Sequence, residues 1–189
     1  MVRRSARAAL FVSLLLGACT STPEPEPFQP ARLPAIRLAV QGIEVGSQAE
    51  PPANMNFIAR RWSDDLASEA QAFLRTRLQA TGGSEFAKAT VERASIIERA
   101  RETSGGTFST EPSWEMVGNL AAKVAVVDGL GIEQSFASSR VEIRRSLSAR
   151  ASVAEKNAFV RTLTKDLLEA TSRELETSIN QNLAAFRAS

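Results

Sequence analysis

Residues 116–143 read MVGNLAAKVAVVDGLGIEQSFASSRVEI, and this stretch decides the fold. Met116, Leu120, Ala122, Val124 and Val126 share one parity against Asn119 and Lys123, the alternation of a half-buried strand. Asp128-Gly129-Leu130-Gly131 is turn chemistry, and Ala137, Val141 and Ile143 resume the alternation on the far side. Two strands joined by so short a turn pair antiparallel, so a hairpin is the seed of the architecture.

Upstream of the hairpin, 86–100 reads as a strand in which Ala87, Ala89 and Val91 face one way. A phase shift then brings Ala94 and Ile96 inward. Between this strand and the hairpin, 103–112 is a Gly/Ser/Thr loop. A helix precedes it, with Trp62, Leu66, Ala70, Phe73, Leu74 and Leu78 recurring at three and four residues and Gly82-Gly83 as its expected stop. Its start is open between Ser63, which leads into Asp64-Asp65, and a turn earlier at Asn54 or Asn56. Further upstream, Ile36, Leu38 and Val40 alternate and Ile43 and Val45 continue with opposite parity, which reads as one strand bulged at Gln41-Gly42. Downstream, Ser152 and Glu155 form a capping box, and Phe159, Val160, Leu163, Leu167, Ala170, Leu175, Ile179, Leu183 and Phe186 mark a helical stripe to the C-terminus.

The expected order is therefore strand, helix, strand, strand, strand, helix. An antiparallel four-stranded sheet with two helices on one face, a two-layer α+β sandwich, buries every stripe. Lys88, Thr90, Glu92, Asn119 and Lys123 would line the other face. The last helix is long enough to overhang the sheet and offer its end to a partner.

The first 32 residues belong to something else. Arg3, Arg4 and Arg7 followed by the apolar run 8–16 form the charged and apolar regions of a signal peptide over 1–18, too short to span a bilayer. Leu16-Gly17-Ala18-Cys19 resembles the bacterial lipobox, whose cysteine receives a diacylglycerol and becomes the acylated first residue. Pro23, Pro25, Pro27 and Pro30 then favour an extended, solvated spacer, so 19–32 reads as a lipidated cysteine with a proline-rich tether to a single domain, 33–189. Two or more acyl chains hold a protein firmly on a membrane where one does not. By the sorting rule that goes with the lipobox, Thr20, not being Asp, directs the chain to the outer membrane, facing the periplasm.

The chain holds 23 Lys and Arg against 21 Asp and Glu, and removing the leader's Arg3, Arg4 and Arg7 leaves 20 against 21. A near-neutral domain has no concentrated basic patch for nucleic acid. It has no His and no Tyr, and its one Cys is the proposed lipid site, so imidazole bases, thiol nucleophiles and the usual zinc sets are excluded. No cofactor or metal is expected. Asp64 and Asp65 read as helix-start charges, and Glu174 and Glu176 as residues of a solvated helix face. Gly82-Gly83 and Gly105-Gly106 lack the spacing of a phosphate loop. Arg140, Arg144, Arg145 and Arg150 gather near the hairpin's end, but Arg145 points opposite to the first two. They read as edge charges, or as contacts for an acidic headgroup or partner. Trp62 belongs to a helical core stripe, whereas Trp114 opens a strand beside a loop and suits an interface.

A lipobox, a proline-rich tether and a small α+β domain with a long final helix resemble the small proteobacterial envelope lipoproteins. That group includes the lipopolysaccharide-assembly lipoprotein and the auxiliary lipoproteins of lipid-trafficking ABC transporters. Trp62, Arg77-Leu78 and Thr81-Gly82 also resemble an alphaproteobacterial group of this layout. The resemblance implies a non-enzymatic accessory in outer-membrane assembly or lipid transport, acting through an envelope protein partner. Candidate contacts are Trp114, Arg140, Arg144, Leu183 and Phe186. The competing reading is a periplasmic module holding lipid or a small ligand between sheet and helices. In cells fed labelled palmitate, Cys19→Ser should abolish label incorporation and leave the leader uncleaved; a labelled variant would refute the lipobox assignment.

Overall fold

A computed structural model describes residues 33–100 and 113–188; the expected leader, Cys19, the expected tether and the expected loop at 103–112 lie outside them. Six strands and two long helices follow in the order β1 (Ile36–Leu38), β2 (Gly42–Ser47), α1 (Phe57–Arg77), β3 (Leu78–Ala80), β4 (Phe86–Ala100), β5 (Ser113–Val127), β6 (Glu133–Ser148) and α2 (Val153–Asn182), ending in a 3-10 turn at Ala184–Phe186. The class is α+β, with both helices on one face of a four-stranded sheet ordered β2-β4-β5-β6.

The hairpin forms as the alternation predicts, Leu120 opposite Val141 and Val124 opposite Ala137. β4 joins it antiparallel, and the phase shift appears as a bulge between Val91 and Arg93. Ala94 and Ile96 are thereby turned into the core.

The sheet is mixed, which corrects the expectation of an all-antiparallel one. β2 runs parallel to β4 because α1 carries the chain back along the sheet between them, and a strand–helix–strand crossover returns the next strand in the same direction. A second crossover is nested in the same segment: β1 and β3 pair parallel, Ile36 opposite Leu78, as a separate two-stranded sheet. The single bulged strand expected over 36–45 is thus two strands, broken at Ala39–Gln41.

The helix boundaries differ too. Asn56 caps α1, its Oδ1 accepting from Ala59 N–H at 2.8 Å, which places Asp64 and Asp65 beyond the first turn. α1 stops at Arg77, five residues before Gly82, because Leu78 turns extended to pair with Ile36. The two glycines serve the next turn instead. Gly82 has φ +103°, and a Cβ on Gly83 would lie 2.4 Å from the carbonyl oxygen of Ala39.

α2 begins with the expected capping box. Ser152 Oγ accepts from Glu155 N–H, and Glu155 Oε2 accepts from Ser152 N–H and from the Ser152 hydroxyl, each at 2.7 Å; these last two bonds hold the Glu155 carboxyl below the usual carboxylate range. At 30 residues α2 runs about 45 Å, and the 15 residues of β5 run about 50 Å, so the helix does not overhang. Its end folds back: Leu183 is fully buried, Phe186 C=O accepts from Ala39 N–H, and Ala188 N–H donates to Arg37 C=O. Closing Gly83 against Ala39 leaves no space for a methyl group. Gly83→Ala should therefore lower the urea midpoint by the equivalent of about 1–3 kcal/mol, with the slope unchanged.

Candidate functional site

α1 and α2 lie side by side and parallel. Trp62 Nε1 donates to Asn157 Oδ1 at 3.3 Å near their N-termini, and Arg77 Nε donates to Ser172 Oγ at 2.9 Å near the end of α1, both pairs separated by 95 residues. Arg77 is buried and also meets Glu176 Oε2 at 2.9 Å, a charge-assisted bond between the helices. Glu176, expected on a solvated face, is half-buried by this pairing.

A surface groove of about 870 Å³ runs between the N-terminal halves of the helices. Trp62, Val160 and Thr164 form its buried floor, and Arg61, Asp65, Glu69, Arg161 and Lys165 its charged walls. Phe57, Ile58 and Val153 stand at its mouth, with Phe57 80% exposed. Large apolar side chains so exposed at the start of two helices contribute nothing to the core. Partial desolvation against the groove wall pushes the carboxyl of Glu69, itself still solvent-exposed, above its ordinary range, and the neighbouring Asp65 charge adds to the shift.

Trp114 sits at the same end of the domain on the helix-facing side of β5. Its ring lies 5.5 Å from Lys156 Nζ, which is bonded to Glu98 Oε1. It is half-buried rather than free. Arg140 and Arg144 share the open sheet face and Arg145 turns to the helix side, as the strand period requires. Arg144 pairs with Glu142 at 2.7 Å, and Arg145 with Asp166 of α2 at 2.8 Å, so these cations form no single patch. Leu183 and Phe186 are folded into the far end of the domain and share no surface with Trp114.

Sequence reasoning missed Phe57, Ile58 and Val153, because an apolar residue at a helix start is visible as surface only once the cap is fixed. It named Arg77 only within a resemblance, although its place three, four and seven residues after Leu74, Phe73 and Ala70 puts it on the buried stripe of α1. Between sheet and helices the interior is filled: Ile96, Met116, Leu120, Leu163, Leu167 and Leu175 are at most 2% exposed, and a Cβ on Gly118 would lie 2.6 Å from Leu167 Cδ1. Among the described residues no three potential metal ligands gather, and no helix is long and apolar enough to cross a membrane.

No family model and no curated protein matches the chain. Among solved structures it is similar to a minor lipoprotein from Acinetobacter baumannii, with 14% identity, a TM-score of 0.41, and coverage of 77% of this chain and 98% of that one. It is likewise similar to an uncharacterized lipoprotein B from Nitrosomonas europaea, at 16%, 0.43, 82% and 92%. A third is the rare lipoprotein B from Shewanella oneidensis, at 13%, 0.39, 72% and 95%. Likenesses this distant carry no argument about function.

A carboxyl whose folded-state pKa is raised binds its proton more readily in the fold than in the unfolded chain. Stability therefore falls as pH rises through the window just above the ordinary value of 4.5. Glu69→Gln removes that penalty. It should raise the urea midpoint at pH 7 and leave it unchanged at pH 4.

Proposed function

We propose that this chain is an envelope lipoprotein, anchored through acylated Cys19 in the outer membrane and facing the periplasm. There it assists outer-membrane assembly or lipid transport without catalysis, by binding a partner protein. The observation that carries the reading is the groove between α1 and α2 with Phe57, Ile58 and Val153 at its mouth. It lies at the opposite end of the domain from the strand that the tether joins, where a partner is reached without crossing the membrane surface. An apolar mouth with charged walls of both signs has the makeup of a protein interface, an apolar centre inside a polar rim.

The competing reading, a lipid- or ligand-binding module, draws on the same groove, whose volume falls within the range of small-molecule sites. With the space between sheet and helices filled, a ligand would have to sit between the helices instead.

Affinity purification of the full-length protein from crosslinked, detergent-solubilised membranes separates the two readings. An envelope protein should be recovered in stoichiometric amount, and Phe57→Ser/Ile58→Ser should reduce it about tenfold while leaving thermal unfolding unchanged. Recovery of a lone monomer, or of the partner undiminished by the double substitution, would refute the accessory reading. Bound lipid in place of protein would favour the carrier.

A further inference from the structure

The large exposed apolar residues among those described fall at the two ends of the domain. Phe57, Ile58 and Val153 are at the groove, and Phe86, Leu130, Ile132 and Phe136 are at the end where β5 turns into β6. That second end is also where the tether joins. β1, three residues after Leu33, pairs with β3 directly after the end of α1 and bridges Arg187 beyond the end of α2, and β2 then begins at Gly42 opposite Phe86, which lies opposite Val127. We infer that the β5–β6 turn is a membrane-contact surface, with Leu130 and Ile132 entering the interface of the bilayer that holds Cys19. This rests on the lipoprotein reading above.

The turn is built for leaving water. Asp128 Oδ1 accepts from both Leu130 N–H and Ile132 N–H at 2.9 Å, and Asp128 C=O accepts from Gly131 N–H at 2.9 Å. Three consecutive amides at the tip are thus satisfied internally, and the cost of taking backbone donors out of water is removed in advance. Gly131, at φ +81°, lets the chain close while Leu130 stays 86% exposed and Ile132 58%. Gln134 Nε2 donates to Asp128 Oδ2 at 3.0 Å and fixes the carboxylate that organises the tip. Behind it on the open face, Lys123 Nζ lies 4.6 Å from the centre of the Phe136 ring and 2.7 Å from Glu133 Oε2. This aromatic and a cation on an apolar stem suit the headgroup level.

Chain length makes weak insertion sufficient. The tether of residues 19–32 reaches at most about 50 Å when fully extended, so the turn never travels far from the lipid surface. An anchored element meets its target at high effective concentration, and two side chains are then enough.

The test uses the full-length lipidated protein with Leu130→Cys, Cys19 being consumed by lipid, labelled with an environment-sensitive dye. It is reconstituted in vesicles of phosphatidylethanolamine and phosphatidylglycerol, with Ala154→Cys labelled as a control at the opposite end. The dye at 130 should shift to the blue, and its quenching by aqueous iodide should fall about threefold or more, as burial at the headgroup boundary requires, while the dye at 154 stays unprotected. Equal quenching at both positions would overturn the inference. So would shielding at 130 in native membranes but not in pure lipid, which would place a protein over the turn. The acyl mass on Cys19 is read from the same sample. If Cys19 is unmodified, the anchor reading fails separately, and the shift at 130 on added vesicles, corrected by the parent chain labelled at Cys19, still decides the surface: a shift supports it and its absence refutes it.

Discussion

Strand β5 is buried on both faces, and the rest of the molecule is assembled on it. Met116, Leu120, Ala122, Val124 and Val126 pack under the helices, while Val117, Ala121, Ala125 and Val127 are screened on the other side by the side chains of β4 and β6. A central strand of this kind favours small and β-branched residues, which is what the sequence supplies. Gly118 is the closest point: without a Cβ it lets Leu163 and Leu167 of α2 reach the sheet. α2 then sets the position of the edge strand, since Ser178 Oγ accepts from the N–H of Ser138 and Ser135 Oγ donates to the Asn182 carbonyl. An edge strand bonded to a helix has fewer free amides to offer a second chain.

How much of this was legible follows from what each element depends on. The β5–β6 hairpin, the bulge in β4 and the capped start of α2 rest on local rules, namely parity, turn chemistry and the reach of a serine hydroxyl, and all were readable. The parallel pairs β2–β4 and β1–β3 were not, because pairing across a crossover depends on where α1 delivers the chain. Gly82-Gly83 misled for a similar reason. Two glycines after an apolar stripe suit a helix stop equally well as a strand turn, and only the pairing of Leu78 with Ile36 separates them.

The candidate site was less legible than the fold. Trp114, read as suited to an interface, is half-buried beside Lys156 on the helix side of the sheet, a neighbour that no local pattern names. Leu183 was read as the end of a projecting helix, but the C-terminal segment instead turns back onto β1 and seals that end of the core. The groove is formed by residues some 95 positions apart, and no window of sequence contains both of its walls.

The equal separation of the two interhelical bonds has a mechanical consequence. If α2 slid past α1 by one turn, about 5.4 Å, it would break Trp62–Asn157 and Arg77–Ser172 together and would strip Arg77 of Glu176 in the same step. The buried guanidinium would be left unpaired, which is costly in the interior. The two bonds therefore fix the register of α2 against α1 near both ends of α1. A partner of the kind proposed would meet a register already set and would lose little ordering entropy in binding there.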